Sequence, residues 1–374
     1  MLSISNFLFV VASAHLLDPE SFGKLVVGYS VYLLGLGLVR ATSSDVALFG
    51  LLDRATLALA PLAVGPIFLT AGLGLGLLGF GVGMTLATPA LAACLGAAGL
   101  VLTQEAARAK MYLAQAFRFL LIIDLMWLVS QIAFTTLLIF LGTNHLYALL
   151  AGWSLSALVA GPLVCLPTVF RLAQGLRYMR LASRVSPGLI LEFVASQGIS
   201  YLVTISLAVL ASAQAAGTYR LVLTVMAPVG VVVMGMQVFY GPRVARMSRP
   251  QLSRLALLFS MLAPCIAVSV ILLPGSLTLL LLGENWRHVG AILLLFVTAE
   301  RSFGSALAPV VWRLRAAGRA AWLAKSRLVT GPVGLVSALF GSAAFGATGA
   351  AAGFLAGTVL MAAWSSSAAF RRLS

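Results

Sequence analysis

The chain has 374 residues, of which 61% are hydrophobic and 9% charged, with a mean hydropathy of +1.07. Water-facing residues would dilute so apolar a composition in a soluble domain of this length, so a soluble globular protein is excluded. The formal charge of +15 would point to nucleic acid in a soluble protein, but here its placement follows membrane topology and no nucleic-acid partner is expected.

A helix crossing a bilayer takes about 20 apolar residues, and charge, Gly and Pro cut the chain into about twelve such runs. The predicted spans are 2–17, 24–43, 56–79, 82–102, 119–141, 146–168, 188–211, 217–240, 255–274, 288–312, 328–344 and 348–368. The first is short for a span: either the start lies late or this helix is incomplete. It has no basic lead of a cleavable signal and runs into a loop followed by another span. Pro61, Pro66, Pro228, Pro264, Gly304 and Pro309 fall inside spans and predict bends.

Basic residues gather in every second gap. The even gaps hold Arg54; Arg108, Lys110 and Arg118; Arg171, Arg177, Arg180 and Arg184; Arg243, Arg246, Arg249 and Arg254; and Arg313, Arg315, Arg319, Lys325 and Arg327, with Arg371 and Arg372 in the tail. The odd gaps hold only Lys24 and Arg287. This alternation assigns the even gaps and both termini to the cytoplasm. The longest basic gap, a linker over 171–187, separates a group of six spans in 1–170 from a second six in 188–374. An even number per half starts both halves on the same side, so a repeat would be parallel. HLLDPESFGKLVVGYS from His15 aligns with VLASAQAAGTYRLVLT from Val209 and places Gly23 opposite Gly217. Chance competes with a repeat here, because Gly and Ala are abundant.

No GxSxG, HExxH or phosphate-loop pattern occurs, and the loops are short, so an enzyme is not expected. Cys94, Cys165 and Cys265 lie far apart in apolar segments; neither a disulfide framework, a metal site nor a cofactor is expected. His15, His145 and His288 fall at the predicted outer surface, where they either sense pH or are ordinary interfacial residues.

The charges inside spans carry the functional signal. Glu300 and Arg301 lie near the centre of the tenth span, where a charge costs at least ~2.5–3.5 kcal/mol unless it faces protein or water. Neighbours on a helix diverge by about 100°, so the two are not expected to neutralise each other. They either serve an internal cavity or form a buried pair with another helix. Arg40 and Arg220, near the ends of the second and eighth spans, either face the cavity or snorkel to the surface. Asp124 and Glu192, near the inner ends of the fifth and seventh, are proton sites, gate partners or first-turn acids favoured by the helix dipole. On the seventh span Glu192, Ser196, Ser200 and Thr204 recur every fourth residue, with Gln197 and Tyr201 alongside. That stripe either lines a wet pathway or lets helices pack closely.

Five segments, in order along the chain, carry a family resemblance: LLDPESFGKLVV; QEAARAKMYLAQAFRFLLIIDLMWLV, with Asp124 and Trp127; GTYRLVLTVMAPVGVVVMGMQVFYGPRVAR, ending in the Pro242–Arg243 turn; LLLLGENWRHVGAILLLF; and FGATGAAAGFLAGTVL. Together they resemble the polysaccharide-biosynthesis flippases, including the O-antigen-type lipid-linked oligosaccharide flippases, which are related to lipid II flippases and to multidrug and toxic compound extrusion transporters. The resemblance implies an all-α protein of the cytoplasmic membrane, with two six-helix lobes in parallel pseudo-two-fold symmetry around a partly cationic cavity. It further implies alternating access, with a glycan and its pyrophosphate in the cavity and the polyprenyl tail in lipid. A phosphate in a low-dielectric site needs cations, and arginine offers a fork of donors. Arg301 is the first candidate, then Arg40 and Arg220, with Gln197 and Tyr201 lining the cavity and Glu300, Asp124 and Glu192 as coupling or gating groups. The partners expected are the lipid-linked glycan, membrane lipids, and a polysaccharide polymerase with glycosyltransferases. Two other readings stay open: a cation-coupled exporter of small molecules, and a non-transporting scaffold of a glycan-assembly complex.

Overall fold

The computed structural model describes residues 4–42, 116–244, 246–316 and 320–371, with single positions 46, 56, 59, 97, 101 and 102. Apart from those positions, the predicted spans 56–79 and 82–102 lie outside the described residues, as do Arg54, Pro61, Pro66, Cys94, Arg108 and Lys110.

Among the described residues every regular element is a helix. They are α1 (Ile4–Leu16), α2 (Pro19–Thr42), α3 (Phe117–Phe140), α4 (His145–Val169), α5 (Leu172–Val185), α6 (Pro187–Phe193), a π turn (Val194–Gly198) and α7 (Ile199–Leu210). There follow α8 (Ala213–Val225), α9 (Ala227–Val244), α10 (Arg249–Ser260), α11 (Leu262–Leu272), α12 (Gly275–Leu282), a 3-10 turn (Glu284–His288), α13 (Ala291–Ala306), α14 (Ala308–Ala316) and α15 (Ala320–Arg371).

Three predicted spans are each two helices in line. The breaks fall at Met226, Met261 and Leu307, two or three residues before Pro228, Pro264 and Pro309. Proline lacks the N–H that would continue the ladder, and its ring crowds the carbonyl four residues back. Among the described residues, six stretches are long and apolar enough to cross a membrane: Pro19–Thr42, Arg118–Phe140, Ala213–Val233, Arg249–Leu272, Ala291–Leu314 and Lys325–Trp364. Their outer surfaces are greasy. Phe140 is 86% exposed, Leu272 77% and Phe340 75%, whereas Ser156, Thr204 and Ser342 are buried. Such a distribution suits a lipid surround and not water. Several buried hydroxyls bond within their own helices: Thr204 donates to the Ser200 carbonyl, Thr224 to that of Arg220 and Thr298 to that of Leu294.

The contacts group the chain into two compact units, Lys24–Phe193 on one hand and Met1–Gly23 with Val194–Ser374 on the other. In the first unit, α3 and α4 pack side by side, joined by a turn in which Gly142 takes φ +81°. Gly152 lies against the Thr135 side chain, leaving no space there for a Cβ. Tyr29, Tyr32 and Trp153 form an aromatic knot with ring centroids 5.1–5.8 Å apart.

In the second unit, α13 packs against α8, α10, α11 and α15. Its core includes Val203, Leu207, Tyr219, Val222, Leu293, Val297 and Ala350. α15 is a hairpin broken at Phe345 and at Gly346, whose φ is +58°. Gly341 meets the backbone of Gly349, Gly353 that of Ser337, and Gly357 that of Gly334, so the arms run antiparallel with their backbones in contact.

One end of this unit collects the α1–α2 turn, the start of α8, the 3-10 turn and the tip of α15. Asp18 accepts from the backbone N–H of Glu20 and Ser21 at 3.0 Å each and so caps α2; these bonds, led by Ser21, hold its carboxyl below the usual range. Ser212, opposite Asp18 in the repeat alignment, caps α8 by accepting from Ala215 N–H. The aligned glycines meet: a Cβ on Gly217 would stand 3.3 Å from the Gly23 Cα, and one on Gly23 would overlap the Ala213 carbonyl. Beside them Asn285 donates to the carbonyls of Ala14 (2.7 Å) and Leu17 (2.9 Å), taking up acceptors that the end of α1 leaves open. His15 places Nδ1 and Nε2 each 2.8 Å from a carbonyl, those of Val11 and Leu280.

Candidate functional site

A polar cluster sits inside the second unit, built by four helices. α7 brings Ser200 and Tyr201, α8 brings Tyr219 and Arg220, α13 brings Glu300 and Arg301, and α15 brings Thr358. Arg220 is 7% exposed, and its guanidinium lies 5.9 Å from the centroid of the Tyr201 ring, within range of cation–π attraction. Tyr219 is buried, with Ser200, Glu300, Arg301 and Arg220 as its polar neighbours. Glu300 is buried, and Thr358 lies within hydrogen-bonding reach of its carboxylate.

The expectation that Glu300 and Arg301 cannot neutralise each other is wrong. Arg301 Nε stands 3.1 Å from Glu300 Oε2. Their Cα–Cβ directions diverge, but arginine's flexible stem lets the guanidinium fold back. The pair is unequal, with the Glu300 side chain 10% exposed and that of Arg301 35% exposed. Arg301 therefore has open surface that Glu300 does not cover. Among the described residues the cluster brings the Arg220 and Arg301 guanidiniums and the Glu300 carboxylate into one region.

Among the other candidates, Gln197 is exposed on the π turn and Tyr201 is half-buried. The π turn also resolves the predicted stripe. It inserts an extra residue into the helical repeat, so Glu192 is carried on α6 before the turn while Ser200 and Thr204 follow it, both buried. The helix that carries them packs against α15, where Gly331 approaches Ile199 and the Ala195 carbonyl.

Arg40, Asp124 and Glu192 belong to the first unit and are half-buried on α2, α3 and α6. Gly37 lies against the Phe193 ring, which sets the helices carrying Arg40 and Glu192 side by side. At the capped end of the second unit a cavity of about 250 Å³ opens, lined by Ser212, Gln214, Thr218, His288 and Thr348 together with apolar Leu293 and Ala347, and without carboxylates. Among the described residues no group of three His, Cys, Asp or Glu side chains could hold a metal ion.

Sequence reasoning missed Tyr219, Thr358 and the Asn285 contact. Thr358 sits in a long apolar run with no spacing signal, and Tyr219 stands beside Arg220, the charge that drew the attention. Asn285 follows Gly283, whose φ of +78° lets the backbone pass Ala14, and a Gly-x-Asn in an outer loop was the available hint.

No family model matches the sequence, and no curated protein matches it. Solved structures do share its fold. One is the inward-facing conformation of a multidrug resistance MATE family transporter of the MOP superfamily, with TM-score 0.68 and 13% identity over 100% of this chain and 97% of that one. Another is the lipid II flippase MurJ in an inward closed conformation, with TM-score 0.63 and 11% identity over 97% of this chain and 84% of that one. At such identities the likeness is one of fold: an all-α, multi-pass membrane architecture.

Proposed function

We propose that this protein is a membrane transporter that moves a polyprenyl-pyrophosphate-linked oligosaccharide across the cytoplasmic membrane by alternating access, in cell-surface polysaccharide synthesis. The observation that carries this reading is the arginine-bearing cluster within the apolar interior, with Arg220 buried against Tyr201 and Arg301 still open to an approaching group. A pyrophosphate entering a site of low dielectric is stabilised by guanidinium forks, which match its oxygens in pairs. Arg301 contacts it first, Arg220 and Arg40 supply further charge, and Gln197 and Tyr201 face the sugars. Glu300, Asp124 and Glu192 couple or gate the cycle. The lobes of that cycle are 1–170 and 188–374, joined by 171–187. Likeness to a lipid II flippase fold supports a lipid-linked cargo. Glycosyltransferases would supply it, and a polymerase would consume it.

A second reading, a cation-coupled exporter of small molecules, is favoured by the buried Glu300 carboxylate and by the likeness to a multidrug transporter fold. Deleting the gene distinguishes the two. A flippase deletion accumulates lipid-linked glycan on the cytoplasmic leaflet with unchanged drug sensitivity; drug hypersensitivity with normal surface glycan would overturn the first reading. Loss of surface glycan without accumulated intermediate would instead identify a scaffold. Restoring the gene as Arg301→Ala lowers export roughly 10- to 100-fold, the worth of a charge-assisted hydrogen bond of about 1.5–3 kcal/mol. Arg301→Lys recovers part, because a point charge does not reproduce a fork. Full export by the alanine variant, at equal amounts in the membrane, would remove Arg301 from the site.

A further inference from the structure

Helix α5 is neither a span nor an ordinary polar linker. It has 14 residues and is about 21 Å long at 1.5 Å per residue. α4 ends at Val169 and α6 begins at Pro187, so only two residues join it to one neighbour and one to the other. Both neighbours belong to predicted spans. A helix tethered so closely at both ends stays beside the ends of both spans.

At 100° per residue its side chains sort into four faces, one of which carries Gln174, Leu181 and Val185. Gly175, Tyr178 and Ala182 form a second, and all three are buried in the protein. Arg177, Arg180 and Arg184 form another, roughly 160° away, and all three are exposed. Between them, about a quarter turn from each, lie Leu172, Leu176 and Met179, with Leu176 49% exposed. A soluble linker has no use for an apolar flank beside an arginine row. The stretch 171–187 contains no acid that could pair with those arginines locally.

We propose that α5 is an interfacial helix whose arginine face binds the phosphate headgroups of anionic phospholipids, while Leu172, Leu176 and Met179 rest at the headgroup–acyl boundary. Charge complementarity selects the occupant: the cytoplasmic leaflet, where the alternation of basic gaps puts this segment, carries the negative lipid. The apolar flank distinguishes a lipid surface from an acidic protein, which would meet the arginines and leave the leucines in water. Each arginine near an anionic surface adds roughly fivefold to the preference for charged lipid.

The test uses the full-length chain with Cys94, Cys165 and Cys265 replaced by alanine and a nitroxide at Ser183→Cys, an exposed position on the apolar flank. It is reconstituted in vesicles of phosphatidylcholine, with or without phosphatidylglycerol. Collision with oxygen against a water-soluble nickel chelate reads the depth. The label should sit at the boundary and lie deeper when phosphatidylglycerol is present, and high salt should weaken the difference. Arg177→Gln/Arg180→Gln/Arg184→Gln should abolish that dependence, and the triple lysine variant, which keeps the charge, should retain it. A label equally exposed to the chelate in both vesicles would overturn the proposal and point to a protein partner. A dependence that survives the glutamine variant, with the lysine variant as the control for folding, would overturn the role of the arginines. No transport is measured, so the outcome is independent of which cargo the protein moves.

Discussion

Asn285 holds the end of α1 with two hydrogen bonds from one amide, and it does so while 5% exposed. Asn285→Ala leaves two carbonyls without their donor and should cost about 1–3 kcal/mol in thermal unfolding of the solubilised protein. Asn285→Asp should cost more than alanine, because a carboxylate would face two carbonyl oxygens with no proton to offer. An aspartate variant as stable as wild type would mean that the amide does not hold α1. The sequence displayed this residue only as a polar break in an outer loop, because its carbonyl acceptors lie some 270 positions away in the chain. The intramembrane charges were legible one by one, since charge is rare in spans and each such residue stands out. Their pairing was not. Glu300 and Arg301 join through side-chain torsions that a count of residues per turn does not fix.

At the scale of elements, hydropathy and proline carried most of the reading. The hairpin of α15 was expected as the spans 328–344 and 348–368, and the break falls at Phe345 and Gly346. The sequence did not say how closely the arms pack, because a glycine-rich run reads equally as packing or as flexibility. The structure separates these roles and makes an ordered prediction. Gly346→Ala meets nothing within 4 Å and is strained only by its backbone, φ +58° and ψ −136°, a combination that L side chains avoid at about 1–3 kcal/mol. Gly349→Leu drives a side chain into the Gly341 backbone and the Phe345 Cβ, and should cost more, since the arms must part along their length. Unfolding measured side by side would sink this account if the Gly346 change proved the worse. The π turn and α5 escaped prediction for different reasons. A π turn is a one-residue insertion that leaves composition unchanged. The 171–187 linker reads as polar until its arginines are placed on a helix, where their spacing of three and four turns them to one face.

For the whole molecule, the alternation of basic gaps gave the most far-reaching expectation, and the second unit supplies geometry for it. The α1–α2 turn, the start of α8, the 3-10 turn and the tip of α15 share one end through Asn285, Gly23 and the cavity. These are four of the six odd gaps, the first, seventh, ninth and eleventh. Their two basic exceptions are weak ones: Arg287 is paired to Glu284 at 2.7 Å, and Lys24 lies within α2. Orientation itself is not a property of the fold, since a bundle of helices is equally stable either way up; it follows from where arginine and lysine resist translocation. The prediction is therefore about labelling from outside the cell. In a background without Cys94, Cys165 and Cys265, a membrane-impermeant maleimide should modify cysteine at Asn144 in the α3–α4 turn and at Ala347 beside the tip of α15. Cysteine at Ser248, which starts α10 among Arg243, Arg246, Arg249 and Arg254, should react only after the membrane is permeabilised. Reaction at Ser248 in intact cells, with protection of Ala347, would invert the protein. An inverted protein would leave the lipid proposed for α5 in the wrong leaflet and put the outer end of the transport cycle in the cytoplasm. Labelling at both Asn144 and Ser248 would break the alternation itself, because an odd number of crossings then no longer separates them.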